Sequence, residues 1–284
     1  MSNPENQISD RQLAAAIDHT LIDATASRER VRQVCREAVD FGFHTVCVNP
    51  RWAPLVAEQL HNTKVKVGSV VSLPLGADST KVKVAQAKDV IFAGADEIDM
   101  MADLAAIIEG DSRYMSNQVQ AVLRICRSMR PPVVLKVIIE SAALTQQQKV
   151  FACQILDACR VDFIKTSTGL HPAGGGTIED VKLIKQAALN CKIKAAGGIR
   201  TARQALEMLQ AGAERIGTSS GVQIINDFKE VKAAQKTGNN VEGQYNVTPA
   251  KAGIQTNNDR MDSRPFGLRS GQALRGNDTE SDKL

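Results

Sequence analysis

Three lysines interrupt apolar runs that otherwise read as buried strands: Lys136 in PVVLKVIIE, Lys165 in DFIKTSTG and Lys194 in KIKAAGG. A lysine is almost never fully buried unless it is paired, and an unpaired ammonium in low dielectric tends to lose its proton. One such residue reads as a strand-end side chain snorkelling to water. Three in successive strands point to a site, in which an amine kept neutral can attack a carbonyl. Lys165 and Lys194 lie at matching depths of neighbouring strands. Each positive charge makes the second costlier, so the pair predicts one amine held charged and the other lowered from about 10.4 toward neutrality. Asp99, in EIDMM, shares a strand face with Met101 and is expected to point inward among the lysines. It serves there as a counter-ion or in proton transfer, directly or through water, and its spacing does not separate the two. Lys136 is more central in its strand and reads as an ion-pair partner. Asp18 ends the first strand, IDHT, where it either meets a substrate hydroxyl or caps the next turn. Cys47, in TVCVN, reads as core packing or as a thiol facing the substrate.

These side chains need strands that end together. Eight short apolar runs recur along the chain: IDHTL, TVCVN, KVGSVVS, EIDMM, VVLKVII, DFIKTST, KIKAA and RIGTSS. Helical patterns separate them, with starts marked by Ser27, Pro50, Ser79, Thr145, Thr177 and Thr201 and stops by glycines or by Pro131 and Pro132. Near-continuous apolar strands, each followed by a helix, predict a parallel sheet closed into a single-domain (β/α)₈ barrel. An open doubly wound sheet needs a glycine-rich turn after its first strand, and no glycine follows IDHT. The barrel is expected over residues 10–232, after a short extension over 1–9. From 233 to 284 the chain is polar, rich in Gly and Asn and without apolar periodicity, which predicts a disordered tail.

In a barrel, catalytic groups come from the carboxyl ends of strands, and phosphate commonly sits in the loops after the seventh and eighth. Here those ends read Ala196-Gly197-Gly198-Ile199-Arg200 and Gly217-Thr218-Ser219-Ser220-Gly221. Adjacent glycines let N–H groups approach closely, the serines add donors, and each segment leads into a helix whose amino end favours an anion. The Gly174-Gly175-Gly176 run after Lys165 reads as a flexible connector that lets its loop move over the site.

The composition narrows the function classes. The 35 basic and 31 acidic residues give a formal net charge of only +4. No block of Lys and Arg is interleaved with aromatics, so nucleic acid is not expected. No run of about 18 apolar residues predicts a membrane span. The six cysteines include no CxxC pair and mostly fall among apolar residues, the pattern of reduced thiols in a cytoplasmic protein. His19, His44, His61 and His171 have no metal-ligand spacing, and no metal is assigned.

Taken in order, AIDHTLI, GADEID, LKVIIE, FIKTSTG, KAAGGIRT and RIGTSSG closely resemble deoxyribose-phosphate aldolases over roughly residues 10–230. The resemblance implies a (β/α)₈ barrel that reversibly cleaves 2-deoxy-D-ribose 5-phosphate to acetaldehyde and D-glyceraldehyde 3-phosphate, without cofactor. It implies Lys165 as the Schiff-base lysine, with Lys194 and Asp99 as proton-transfer partners. It also assigns Gly169, Gly197, Gly198, Gly217, Ser219 and Ser220 to the phosphate and its approach, and Thr166 and Arg200 stand beside them in the same motifs. Leu170 departs from the pattern, since some members place a phosphate-contacting lysine there. A phosphorylated sugar is thus the expected partner; a homo-oligomer such as a dimer is compatible with the sequence, which does not set subunit number. Another Schiff-base sugar-phosphate aldolase would keep Lys165 without needing Lys194. A non-catalytic phosphosugar-binding barrel would need neither lysine, and an isomerase would need a strand-end Glu or His base.

Overall fold

Hydroxyl side chains fix where the helices begin, and the strands fall between them. The computed structural model describes residues 8–236. Ser9 and Thr145 close reciprocal capping boxes on α1 (Asp10–Ala14) and α7 (Gln146–Cys159). Thr177 and Thr201 do so on α8 (Ile178–Ala187) and α9 (Ala202–Ala211). Ser27 caps α2 (Arg28–Phe41) and Ser79 caps α4 (Thr80–Phe92). In each case the oxygen accepts an N–H that the first turn leaves without a helical partner. Pro50 opens a 3₁₀ turn that leads into α3 (Ala53–Gln59). The sequence reading missed α5 (Leu104–Glu109), a helix too short to show periodicity, capped by Asp103 and ended by Gly110. α6 (Ser112–Ser128) follows directly, capped by Asp111.

The strands are β1 (Ile17–Leu21), β2 (Thr45–Val48), β3 (Lys66–Val71), β4 (Glu97–Met101), β5 (Val134–Ile138), β6 (Phe163–Lys165), β7 (Lys192–Ala196) and β8 (Arg215–Thr218). They pair in parallel in chain order, and β8 closes onto β1. Outward-facing residues such as Ile17, Val46, Ile98, Val137, Ile164, Ile193 and Ile216 are buried beneath the helix ring and make the apolar core.

The barrel interior is of another kind. Register stacks four residues per layer from alternate strands, as barrel geometry requires. The layer nearest the strand starts holds Thr45, Glu97, Phe163 and Arg215; the next, Asp18, Gly68, Lys136 and Lys194; the third, Cys47, Asp99, Lys165 and Gly217. Branched aliphatics usually fill these places. Four cationic side chains and three carboxylates take seven of the twelve here.

The last helix, α10 (Gly221–Lys236), continues past the expected boundary at 232. Lys232 donates to the carbonyl of Ile8 at 3.0 Å and to Asp10 at 3.2 Å, joining the two ends of the described chain. The expected tail from 237 onward and most of the expected amino-terminal extension lie outside the described residues.

Candidate active site

β6 and β7 bring Lys165 and Lys194 directly opposite each other, the matched depth expected from sequence. Asp99 explains why two buried amines tolerate this: its Oδ2 accepts from Lys165 Nζ at 2.8 Å and from Lys194 Nζ at 2.7 Å, while Oδ1 accepts from Lys136 at 3.1 Å. Burial opposes the charge on this carboxylate, but the three ammonium groups outweigh it and hold its pKa well below the usual range. Burial likewise opposes the charge on Lys194, yet Asp18 and Asp99 raise its pKa above that of an ordinary lysine. Lys136 follows the same pattern, held charged by Asp18, Asp99 and Glu97. It is the ion-pair partner expected.

A cavity of about 720 Å³ opens above the third layer, at the carboxyl ends of the strands. Of the three strand lysines, Lys165 lines it, whereas Lys136 and Lys194 are fully buried beneath. Gly217 makes the arrangement possible, because a Cβ there would lie 2.8 Å from Lys194 Cε. Gly169, Gly197, Gly198, Arg200, Gly217 and Ser219 line the cavity together with Thr168 and Leu170. Its far wall comes from the β1 and β3 loops, through Leu21, Ile22, Leu73 and Pro74.

Three sequence expectations need correction. Asp18 neither reaches the cavity nor caps a turn: it is fully buried and binds Lys136 at 2.9 Å, Lys194 at 2.6 Å and Arg215 at 2.6 Å. Thr166 is also fully buried, its Oγ1 donating to the Ala196 carbonyl and accepting the Ala196 N–H, which extends the β6–β7 ladder past the strand end. Ser220 lines a cleft that adjoins the cavity through Ser219, with its N–H given to Thr218 Oγ1 at 2.9 Å. Two of the three glycines in the run are packed: a Cβ on Gly175 would sit 2.0 Å from the Gly197 carbonyl oxygen, and one on Gly176 would sit 2.3 Å from Thr166 Oγ1, whereas Gly174 has open space and a positive φ of 106°. Close approach of the β6 and β7 loops demands glycine at 175, and contact with Thr166 in the same loop demands it at 176. Cys47 belongs to the third layer, with Sγ 4.0 Å from Asp99 Oδ2, and burial pushes its thiol up to about 11.

Two further groups were not legible in sequence. Arg215 binds Asp18 and Glu97 while lying 5.3 Å from the Phe163 ring centre. Glu140 is buried behind the TSTG segment. Both signals are long-range contacts, invisible to local spacing. Asp18, His44 and Glu97 bring three ligand-capable atoms within 4.8 Å of one another. Lys136 and Arg215 already bridge the two carboxylates, at 2.5–3.4 Å. A metal ion would meet two positive charges there, so the triad is a charge-paired cluster.

A closed parallel barrel with a buried charge network under a strand-end cavity, and one amine of that network reaching the cavity, defines a lysine-bearing (β/α)₈ enzyme. A family model for DeoC/LacD family aldolases matches residues 12–227. This chain belongs to that family and is a carbon–carbon lyase. It is 44% identical over 216 residues to the deoxyribose-phosphate aldolase of Dictyoglomus turgidum, covering 76% of this chain and 96% of the relative. It is 44% identical over 218 residues to that of Thermococcus kodakarensis, with the same two coverages. The tetrameric deoxyribose phosphate aldolase of Aeropyrum pernix superposes with a TM-score of 0.74 at 31% identity, covering 80% of this chain and 95% of that one. Among the described residues, no helix is long and apolar enough to cross a membrane.

Proposed function

We propose that this chain reversibly cleaves 2-deoxy-D-ribose 5-phosphate to acetaldehyde and D-glyceraldehyde 3-phosphate through a Schiff base on Lys165. The observation that carries the reading is that Lys165 lines the cavity while held by Asp99, at 2.8 Å, beside the charged Lys194. Interior cations outnumber carboxylates by four to three. The neutral form of the Lys165 amine supplies the lone pair that attacks the aldehyde carbon.

Attack gives a carbinolamine, and departure of its hydroxyl as water leaves an iminium. The C3 hydroxyl then gives up its proton, the C2–C3 bond breaks, and its electron pair flows into the iminium to form an enamine. Glyceraldehyde 3-phosphate departs, the enamine takes a proton on carbon, and water releases acetaldehyde and the free amine. Asp99 is a weak base at its depressed pKa, so in this reading it orients both amines and passes protons through water. Lys194, kept charged, stabilises the anionic character that develops at departing oxygens. Arg200, Gly197, Gly198 and Ser219 take the phosphate.

The test is trapping with acetaldehyde and borohydride, followed by peptide mass spectrometry. An ethyl group on Lys165, lost in Lys165→Leu, is expected. A folded protein with no adduct overturns the reading and favours a non-catalytic phosphosugar-binding barrel. The assembly is also proposed to be a homo-oligomer, checked by light scattering.

A further inference from the structure

Glu140 has a backbone conformation that few side chains adopt, φ 50° and ψ 59° in the left-handed region, one residue pair beyond the end of β5. Glycine would hold this turn more easily, so an observed glutamate directs attention to its side chain. That side chain is buried, and its carboxylate gathers three donors from the segment that follows Lys165. Ser167 Oγ donates to Oε1 at 2.5 Å, Thr168 Oγ1 donates to Oε2 at 2.5 Å, and the Thr168 N–H is shared between both oxygens at 3.1 and 3.2 Å. Each hydroxyl, its proton committed to Glu140, keeps a lone pair for a backbone N–H two residues on. Ser167 Oγ accepts from Gly169 at 3.1 Å, and Thr168 Oγ1 accepts from Leu170 at 3.0 Å.

Resting on the aldolase reading above, we infer that Glu140 is a positioning residue for substrate binding: its carboxylate fixes the direction of both hydroxyls and so sets the cavity wall formed by Thr168, Gly169 and Leu170. Lys165 is set separately. Its carbonyl accepts the Ile139 N–H at 3.0 Å and the Thr166 carbonyl accepts the Ser141 N–H at 2.8 Å, bonds that continue the ladder and do not involve the Glu140 side chain. A glutamine at 140 offers one acceptor oxygen and an NH₂ in place of two acceptors. One hydroxyl must then accept from that NH₂ and turn its own proton away from residue 140, so its direction is no longer fixed, or face the NH₂ without a bond. The wall moves while the amine stays.

The experiment compares Glu140→Gln with the wild-type chain in three measurements: thermal melting, acetaldehyde–borohydride labelling of Lys165, and kcat and KM for 2-deoxyribose 5-phosphate. Expected are labelling within about twofold of wild type and a KM raised by about tenfold to a hundredfold, with kcat reduced less, as for a lost hydrogen bond to a charged group. An unchanged KM in Glu140→Gln overturns the inference, and so does a parallel fall of labelling and kcat/KM, which marks a merely structural role. Should Glu140→Gln fail to fold, Ser167→Ala and Thr168→Val each remove one donor, and the same split or its absence decides. Absence of labelling in the wild-type chain is a separate outcome, overturning the aldolase reading itself.

Discussion

Asp99 is the residue on which the interior charges converge, since three ammonium groups donate to its two oxygens. Removing one partner of a buried charge cluster costs about 3–5 kcal/mol, because the remaining charges stay uncompensated. Asp99→Asn is therefore expected to lower stability by that order in urea titration and to abolish Lys165 labelling. His44 supplies a pH signature at the opposite end of the barrel. Burial pushes it down to about 4, with Arg215 and Lys136 adding to the effect and Glu97 and Asp18 opposing it. Unfolded, the same ring titrates near 6.5. Above that pH both states are neutral and the contribution is complete; as pH falls from 6.5 toward 4, the unfolded chain binds a proton that the folded chain refuses. Stability worth up to about 3 kcal/mol is lost over that window. Denaturant titrations at pH 7 and pH 4.5 should show the loss in the wild-type chain and a smaller one in His44→Gln.

At the scale of elements, the site depends on how closely β6, β7 and β8 approach one another. Gly217 leaves the space through which Lys194 extends. Gly217→Ala forces that amine aside, and a displacement of about 1 Å at a reacting group is enough to cost about a hundredfold in rate. The expected result is a kcat/KM lower by that order with an unaltered circular dichroism spectrum. Gly176→Ala acts one loop away: its new Cβ meets Thr166 Oγ1, breaking the bonds that carry the β6–β7 ladder beyond Lys165. It should lower the melting temperature as well as the rate. By contrast, the outward residues of these strands affect stability alone. Truncating fully buried Ile98 to alanine is expected to cost about 2–5 kcal/mol with kcat/KM preserved.

The whole molecule separates two duties by face. Outside the barrel sheet, aliphatic side chains bury against helices and supply the driving force for folding. Inside, paired charges occupy positions that aliphatic packing would fill without penalty, and they hold Lys165 at the cavity floor. The family match spans residues 12–227, and Lys232 joins α10 to the start of α1. A chain ending at Lys236 is accordingly expected to keep wild-type melting and activity. One ending at Val231 loses the Lys232 contact and the last turn of α10, and differential scanning calorimetry should show it melting lower.

The sequence by itself determined the strand and helix order, the closed barrel and the identity of the interior lysines, because each rests on local signals: hydroxyl caps, apolar runs and charges out of place within them. Lys165, Lys194 and Asp99 were legible as a set since parallel strands of similar length bring their ends to one face. The lone short helix α5 was not, having too few residues for a period. Tertiary structure alone decided which candidates meet the cavity. Asp18 and Thr166 sit in strand-end motifs as suggestive as those of Gly197 or Ser219, but register points one into the charged layers and β6–β7 pairing seals the other against β7. Arg215 and Glu140 became visible only with the fold, because their partners lie 197 and 28 residues away along the chain. Sequence spacing carries no trace of contacts that barrel closure and strand pairing create.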